Sequence, residues 1–399
     1  MNVKSKIVEE ANQLHDQIIT HRRWLHAHAE VGFDLQETSA YVRSELEKIG
    51  YDVESCGTCG LAALAGKPGG KVFLLRADMD ALPIREESGL PYACTSGNMH
   101  ACGHDIHTAM LLGAAKLLKK HEKELKGQVK LMFQPSEETL EGAKNMIDNH
   151  ILDNPRVDAG MMIHVATNVS IPAGTILISP PGISAPAADY FSIQVKGKSC
   201  HGSSPQNGID ALTAAAHILI ALQEINAREL GIADRAVLTI GSMQAGLASN
   251  VIADSATMGG TFRCYDDQLR DRIKERIFDI STGIANAFRA QAEVAFESGT
   301  PTLLNDSKLC EFAERELCAL LGSDAVPVSK LKATPTAGGS EDFAYVSQRI
   351  PTVMLSLAAG EPEKGFSYPL HHPKTAFDEA ALSSGTAALA YLAMRYLEQ

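Results

Sequence analysis

The segment Met99–His107 places one thiol, Cys102, and three imidazoles, His100, His104 and His107, within nine residues. Thiolate, neutral imidazole and carboxylate are the side chains that hold zinc-like cations. Glu137-Glu138, His164 and His371-His372 extend the set along the chain. A small structural zinc knot draws its ligands from one short stretch. Ligands spread this widely point instead to a catalytic metal centre assembled by the fold. Cys102 and His104 are two apart, and in extended backbone such residues face the same side, so both could reach one cation or a pair.

The bland reading of each residue alone is different. A single buried cysteine is usually a small hydrophobe. With fourteen histidines in the chain, some coincidence is expected, and His15, His21, His121, His150 and His217 read as ordinary surface or core residues. Glu137-Glu138 stands apart from a solvated pair such as Glu86-Glu87 because it follows an apolar strand and Pro135. Cys56-Gly57-Thr58-Cys59 has the spacing of a redox or zinc pair but no second pair to complete it, and reads as a turn with two ordinary thiols.

The elements that must position these groups follow from periodicity. Helical spacing covers 5–30 and about 37–49. An apolar strand at 72–75 leads into Asp78-Met79-Asp80. A helix at 106–119 begins directly after the Cys/His cluster. Strand 129–133 runs into Pro135 and Glu137-Glu138, and strand 159–163 ends at His164. Strand, polar residue, helix recurs, the pattern of an α/β domain with its site at the carboxyl ends of parallel strands. Near 187 the pattern changes to strand 190–195, helix 208–229, strands 236–243 and 256–264, helix 267–290 and strand 292–298. This β-α-β-β-α-β order is that of a split βαβ sandwich. Beyond Pro301 come a helix at 306–320, a short one within Glu341–Gln348, strand 352–357 and a final helix at 378–397. The expected layout is a metal-binding catalytic domain, 1–186 and 300–399, with a second domain, 187–299, inserted.

The 399 residues suit two domains better than one core. A net charge of −12 argues against nucleic acid or an acidic membrane as partner. No apolar run is long enough to span a bilayer, and Met1–Ser5 leads into a polar helix rather than a signal-peptide core, so a cytoplasmic location is expected.

Asp78-Met79-Asp80-Ala81-Leu82-Pro83, His100-Ala101-Cys102-Gly103-His104-Asp105 and Gln134-Pro135-Ser136-Glu137-Glu138 resemble the signatures of the dinuclear metal aminoacylase and carboxypeptidase family. The resemblance is strongest to the branch of hippurate hydrolases, indole-acetyl-amino-acid hydrolases and bacterial N-acyl-amino-acid amidohydrolases, and it covers essentially the whole chain. It implies a catalytic α/β domain with a mixed, mostly parallel sheet flanked by helices, plus an inserted ferredoxin-like α+β lid and dimerisation domain. It implies Cys102, His104, Glu138, His164 and His371 as metal ligands, Cys102 as the bridge, and Glu137 as general base. His201, in Cys200-His201-Gly202-Ser203-Ser204-Pro205, would stabilise the oxyanion from the partner subunit of a homodimer or higher homo-oligomer.

The expected reaction is hydrolysis of N-acyl-amino acids, with a dipeptidase or carboxypeptidase, or a deacetylase of N-acetyl-diaminopimelate or acetyl-cysteine, as alternatives. An inactive metal-binding scaffold would need neither Glu137 nor the full ligand set. A thiolate and three imidazoles favour two zinc ions, with Mn2+, Co2+ or Ni2+ able to substitute. A cation there lowers the pKa of water to about 7, and Glu137 is placed to move its proton. Asp80 and Asp105 are expected to accept ring N–H groups of ligand histidines, with a helix N-terminal role the competing reading of Asp105. His107 either supports the site or packs on its helix. For the substrate carboxylate, Arg263 offers a guanidinium, Asn250 an amide, and Gly339, in Ala337-Gly338-Gly339-Ser340, backbone N–H groups.

Overall fold

The computed structural model describes residues 3–331 and 339–399. The chain divides into two compact units, Met1–Ser184 with Leu304–Ala337 and Tyr345–Gln399, and Ala185–Leu303 with Gly338–Ala344. Among the described residues no helix is long and apolar enough to cross a membrane.

The first unit opens with helices α1 (Val3–Gln13), α2 (His15–Ala27) and α3 (Gln36–Ile49). The single helix expected over 5–30 is broken at Leu14, whose N–H is shared between the Glu10 and Ala11 carbonyls. Ile7, Ala11, Ile18 and Leu25 all enter one core, so the apolar spacing runs through the break and does not reveal it. An eight-stranded sheet follows. Its strands β1 (Val53–Ser55), β2 (Leu61–Gly66), β3 (Val72–Asp78), β4 (Gln128–Gln134), β5 (Ala159–Ala166) and β6 (Ile176–Ile178) are joined by Ala325–Pro327 and Thr352–Ala358. The order is β1-β2-β4-β3-β5, then 352–358, β6 and 325–327. β4, β3, β5 and 352–358 run parallel to their neighbours in that series. β2 is antiparallel to β4, and 352–358 is antiparallel to β6, so the sheet is mixed.

All seven residues of β3 and of β4 are buried. A parallel sheet covered on both faces has this continuous apolar character. Helix α4 (His104–Lys120) is buried from His104 through Ala115 and packs on α2 and on the last helix, Leu382–Tyr396. A helix apolar all round belongs inside. Phe73, Leu75, Leu111, Leu131, Phe133 and Leu389 share this core, each contributing about 1.5–3 kcal/mol by burial.

The register sets the site. Asp78 pairs with Gln134, so β3 and β4 end level, and Asp80 and Glu137 emerge from the same edge.

The second unit is a four-stranded antiparallel sheet, in order 236–245, 255–264, 187–196, 291–300. Numbered within the unit, that is 2-3-1-4, the ferredoxin-like arrangement, with helices Ala211–Glu224 and Asp267–Ala287 packed against it. Asp210 and Asp266 cap those helices by accepting the N–H of Thr213 and Leu269. Phe191, Ile193, Ile218, Leu222, Phe262 and Ile277 form its separate core.

Candidate metal centre

The turn between Ala101 and α4 carries the first two ligands. Gly103 stands at φ +87°, and a Cβ there would lie 2.4 Å from Val165 Cγ2, so only glycine lets Cys102 and His104 follow each other into the sheet edge. Glu138 follows the tight turn after β4, where Ser136 takes φ +59°. His164 lies inside β5, two residues before its end, rather than beyond it as expected. His371 sits on a loop at φ +63°. Left-handed backbone at Ser136 and His371 is uncommon for side-chain-bearing residues and clusters at functional sites.

These five side chains converge. Cys102 Sγ lies 3.6 Å from His164 Nε2 and 3.3 Å from His371 Nε2. Glu138 Oε1 lies 3.3 Å from His371 Nε2 and 3.9 Å from His104 Nε2. The donor atoms form two triads, Cys102–His104–His164 and Cys102–Glu138–His371, and Cys102 belongs to both. Atoms bound to one tetrahedral cation at roughly 2.0–2.3 Å sit about 3.3–3.8 Å apart, the spacing found here.

Hydrogen bonds fix the tautomers. His104 Nδ1 donates to the Asp80 carbonyl at 2.9 Å, and His164 Nδ1 to the Val165 carbonyl at 2.8 Å. Each Nε2 then carries the lone pair, and His104 Nε2 and Glu138 Oε1 are buried without a hydrogen bond. Buried polar atoms left so are costly, and a cation between them would satisfy both. The donor set therefore fits two divalent ions.

Electrostatics agree. Burial pushes the Cys102 thiol up, yet the His164 and His104 imidazoles outweigh it and bring the pKa down to about 6. The close Cys102 thiol and Glu138 carboxylate raise His371 to about 10. The Glu137 carboxyl is buried within reach of His104 and Glu138. Its backbone N–H donates to Asp80 Oδ1 at 3.0 Å, and that of Glu138 to Asp80 Oδ2 at 3.1 Å. Asp80 thus anchors three residues of the site at once.

Asp105 is the acid in the first turn of α4, as the competing reading expects. Its carboxylate bonds Arg22 Nε and His26 Nδ1, both at 2.9 Å, rather than a ring N–H of a ligand histidine. His26 also reaches Glu86 at 3.0 Å. This buried ionic cluster ties α2 to the first turn of α4. His107 is a support rather than a ligand, since both ring nitrogens are taken, Nδ1 by Asp78 at 2.6 Å and Nε2 by the Val165 N–H at 2.9 Å. Sequence reasoning left Arg22, His26, Arg76 and the role of Asp78 unassigned. The one available signal was Asp78 two residues before Asp80, at the end of a buried strand.

In the second unit His201 pairs with Val251, one residue past Asn250, and the Gly202 N–H donates to the Asn250 carbonyl at 2.7 Å. His201 Nδ1 accepts from the N–H of Ser203 at 3.1 Å and lies 2.7 Å from its hydroxyl, which leaves Nε2–H as a donor. Arg263 lies near the far end of strand 255–264 and bonds Ser340 Oγ at 2.7 Å. Eight residues separate Arg263 from Ser255, about 26 Å of strand, and the His201–Asn250 pair sits at the Ser255 end. His201 and Asn250 therefore belong to a separate two-stranded ribbon beyond the Ser255 end of the sheet, while Arg263 lies toward its other end. Gly339 is exposed. Ala337 and Gly338, expected in the same anion-binding turn, lie outside the described residues, and the helix after it is short, Ala344–Ser347.

The family model for peptidase family M20/M25/M40 matches residues 74–395. The chain belongs to this family. It is 36% identical over 392 residues to an N-acetyl-L-cysteine deacetylase of Bacillus subtilis, covering 96% of this chain and 89% of that one. It is 35% identical over 400 residues to an IAA-amino acid hydrolase of Arabidopsis thaliana, covering 97% and 87%. The crystal structure of the Bacillus subtilis YXEP protein, described as a dinuclear metal binding peptidase of the M20 family, superposes with a TM-score of 0.77 at 33% identity, covering 97% and 99%. This M20 chain is thus a metal-dependent hydrolase of amide bonds in the branch that the motifs resembled.

Proposed function

We propose that the chain hydrolyses N-acyl-L-amino acids, N-acetyl or N-aroyl, to a carboxylate and a free amino acid. The observation that carries this reading is the pair of donor triads sharing Cys102, with the Glu137 carboxyl beside them and its backbone held by Asp80. The named activities of the deacetylase and IAA-amino acid hydrolase relatives support it.

In this reading Cys102, His104, Glu138, His164 and His371 hold two divalent cations, zinc by the softness of the thiolate and imidazoles, with Mn2+, Co2+ or Ni2+ as substitutes. Bound there, the ions would supply water activation and a Lewis acid for the amide carbonyl. Glu137 would serve as general base toward water and as general acid toward the leaving amine. Arg263, Asn250 and the Gly339 backbone receive the substrate carboxylate. His201 Nε2–H donates to the oxyanion.

The separation of His201 and Asn250 from Arg263 within the second unit favours a homodimer, in which His201 and Asn250 serve the partner's substrate. Residues 187–299 are then the lid and dimerisation domain, and 1–186 with 300–399 the catalytic domain. A cytoplasmic enzyme fits the acidic chain.

The test is amine release from N-acetyl, N-benzoyl and dipeptide substrates by zinc- and manganese-loaded protein, with Glu137→Gln alongside. Acyl-amino acids are expected to turn over, with Glu137→Gln slower by about 10²–10⁴-fold while retaining both ions. A wild type as silent as Glu137→Gln across the panel would sink the proposal. Dipeptides preferred by orders of magnitude would move it to a peptidase.

A further inference from the structure

We infer that His107 is a positioning residue for one of the two cation pockets, the one that contains His164. The inference rests on the metal-centre reading above and adds a division of labour within it.

β3 pairs with β5 as far as Met162, whereas on its other side β5 stays paired with 352–358 through Ala166. His164 and Val165 lie in this last stretch, opposite Ser356 and Leu357. Val165 is gripped at both main-chain groups. Its N–H donates to His107 Nε2 at 2.9 Å, and its carbonyl accepts from His164 Nδ1 at 2.8 Å. Behind His107, Nδ1–H donates to Asp78 Oδ1 at 2.6 Å. Asp78 Oδ2 in turn accepts from Arg76 Nη1 at 2.6 Å, and Arg76 Nε donates to Gln134 Oε1 at 2.9 Å. Asp78, His104, His107 and Gln134 are all fully buried or nearly so.

The backbone amide can only donate, so His107 Nε2 must accept and its proton must lie on Nδ1, facing Asp78. The relay therefore has one sense, running from a buried arginine to the peptide that orients His164. It meets the Cys102–His104–His164 triad at His164, and Asp78 Oδ2 lies 3.6 Å from His104 Nε2 of the same triad, whereas Glu138 and His371 are the partners of Cys102 in the other. Loss of the Val165 bond should loosen one ion and leave the other.

Two short amides separate the two bonds of the ring. In His107→Asn the amide occupies the place of Nδ1, keeping Asp78 and losing Val165. In His107→Gln the side-chain carbonyl reaches the place of Nε2 and can accept from the Val165 N–H. Metal-depleted protein is titrated with Co2+, and ions per chain are counted after dialysis. Wild type should retain two. His107→Gln should retain two, whereas His107→Asn and His107→Leu should hold one tightly and the second roughly 10–100-fold more weakly. In a His164→Ala background His107→Asn should add nothing further, but in His371→Ala it should still weaken the remaining ion.

Asn and Gln variants with the same ion count, or both ions weakened equally in His107→Asn, would overturn the inference. A wild type that binds fewer than two ions would instead overturn the metal-centre reading, and the inference with it.

Discussion

The Asp80 carboxylate accepts the main-chain N–H of Glu137 at 3.0 Å, so the proposed base is held by an acid that leaves the end of the neighbouring strand. The second oxygen of Asp80 takes the N–H of Glu138, and its carbonyl orients His104. Asn at this position keeps one acceptor oxygen and turns an NH2 group toward a backbone donor. Asp80→Asn should lower kcat/KM by about 10–100-fold, measured with saturating zinc, and should weaken ion retention at the same time. Unchanged kinetics and ion content would mean that the turn after β4 holds itself.

A second consequence concerns the thiols. Cys102, at about 6, is largely thiolate at pH 7 in metal-depleted protein, whereas burial pushes Cys56, Cys264 and Cys310 up to about 11. The thiolate is the nucleophile. Iodoacetamide followed by peptide mass mapping should label Cys102 ahead of those three. Its rate should climb as pH rises through 6 and level off by 7, and zinc loading should suppress it. A midpoint near the ordinary thiol value, or labelling indifferent to zinc, would contradict the assignment.

The buried cluster at α2 carries a pH signature. Burial pushes His26 down, but its hydrogen bonds to Asp105 and Glu86 prevail and raise it to about 9. A group whose folded pKa is raised stabilises fully below its unfolded value, about 6.5, and loses that contribution as pH climbs through the folded value. Wild type should therefore lose stability between about pH 6.5 and 9, by at most about 1.4 kcal/mol per pH unit from this one proton. His26→Gln should lack that component. Urea midpoints of both proteins across this range, at fixed zinc, provide the comparison, since metal effects common to the two cancel. Parallel pH profiles would show that His26 is neutral in the folded protein.

Much of the first unit is legible because its chemistry sits at strand ends. The apolar runs at 72–75, 129–133 and 159–163 mark the parallel strands, and their following residues, Asp80, Glu137 and Glu138, meet because Asp78 and Gln134 end level. His164 lies within β5 because that strand stays paired with 352–358 through Ala166, a pairing that single-strand periodicity does not encode. The first-turn place of Asp105 was readable, but its partners, Arg22 and His26, were not, since they lie about eighty residues earlier on a helix whose apolar face gave no hint of a buried cation. The short β1, β6 and 325–327 strands carry too few residues for an alternating pattern. In the second unit the β-α-β-β-α-β order was readable. The distance from His201 to Arg263 was not, because it depends on which end of each antiparallel strand faces which loop.

The most direct test of the account is activity followed against metal content. Protein emptied by chelator is titrated with zinc while amine release from an N-acetyl-amino acid is recorded. The account predicts no turnover without metal and a plateau at two equivalents per chain, with Cys102→Ala failing to reach it at any zinc level. Full turnover in the emptied protein, or in Cys102→Ala, would contradict it.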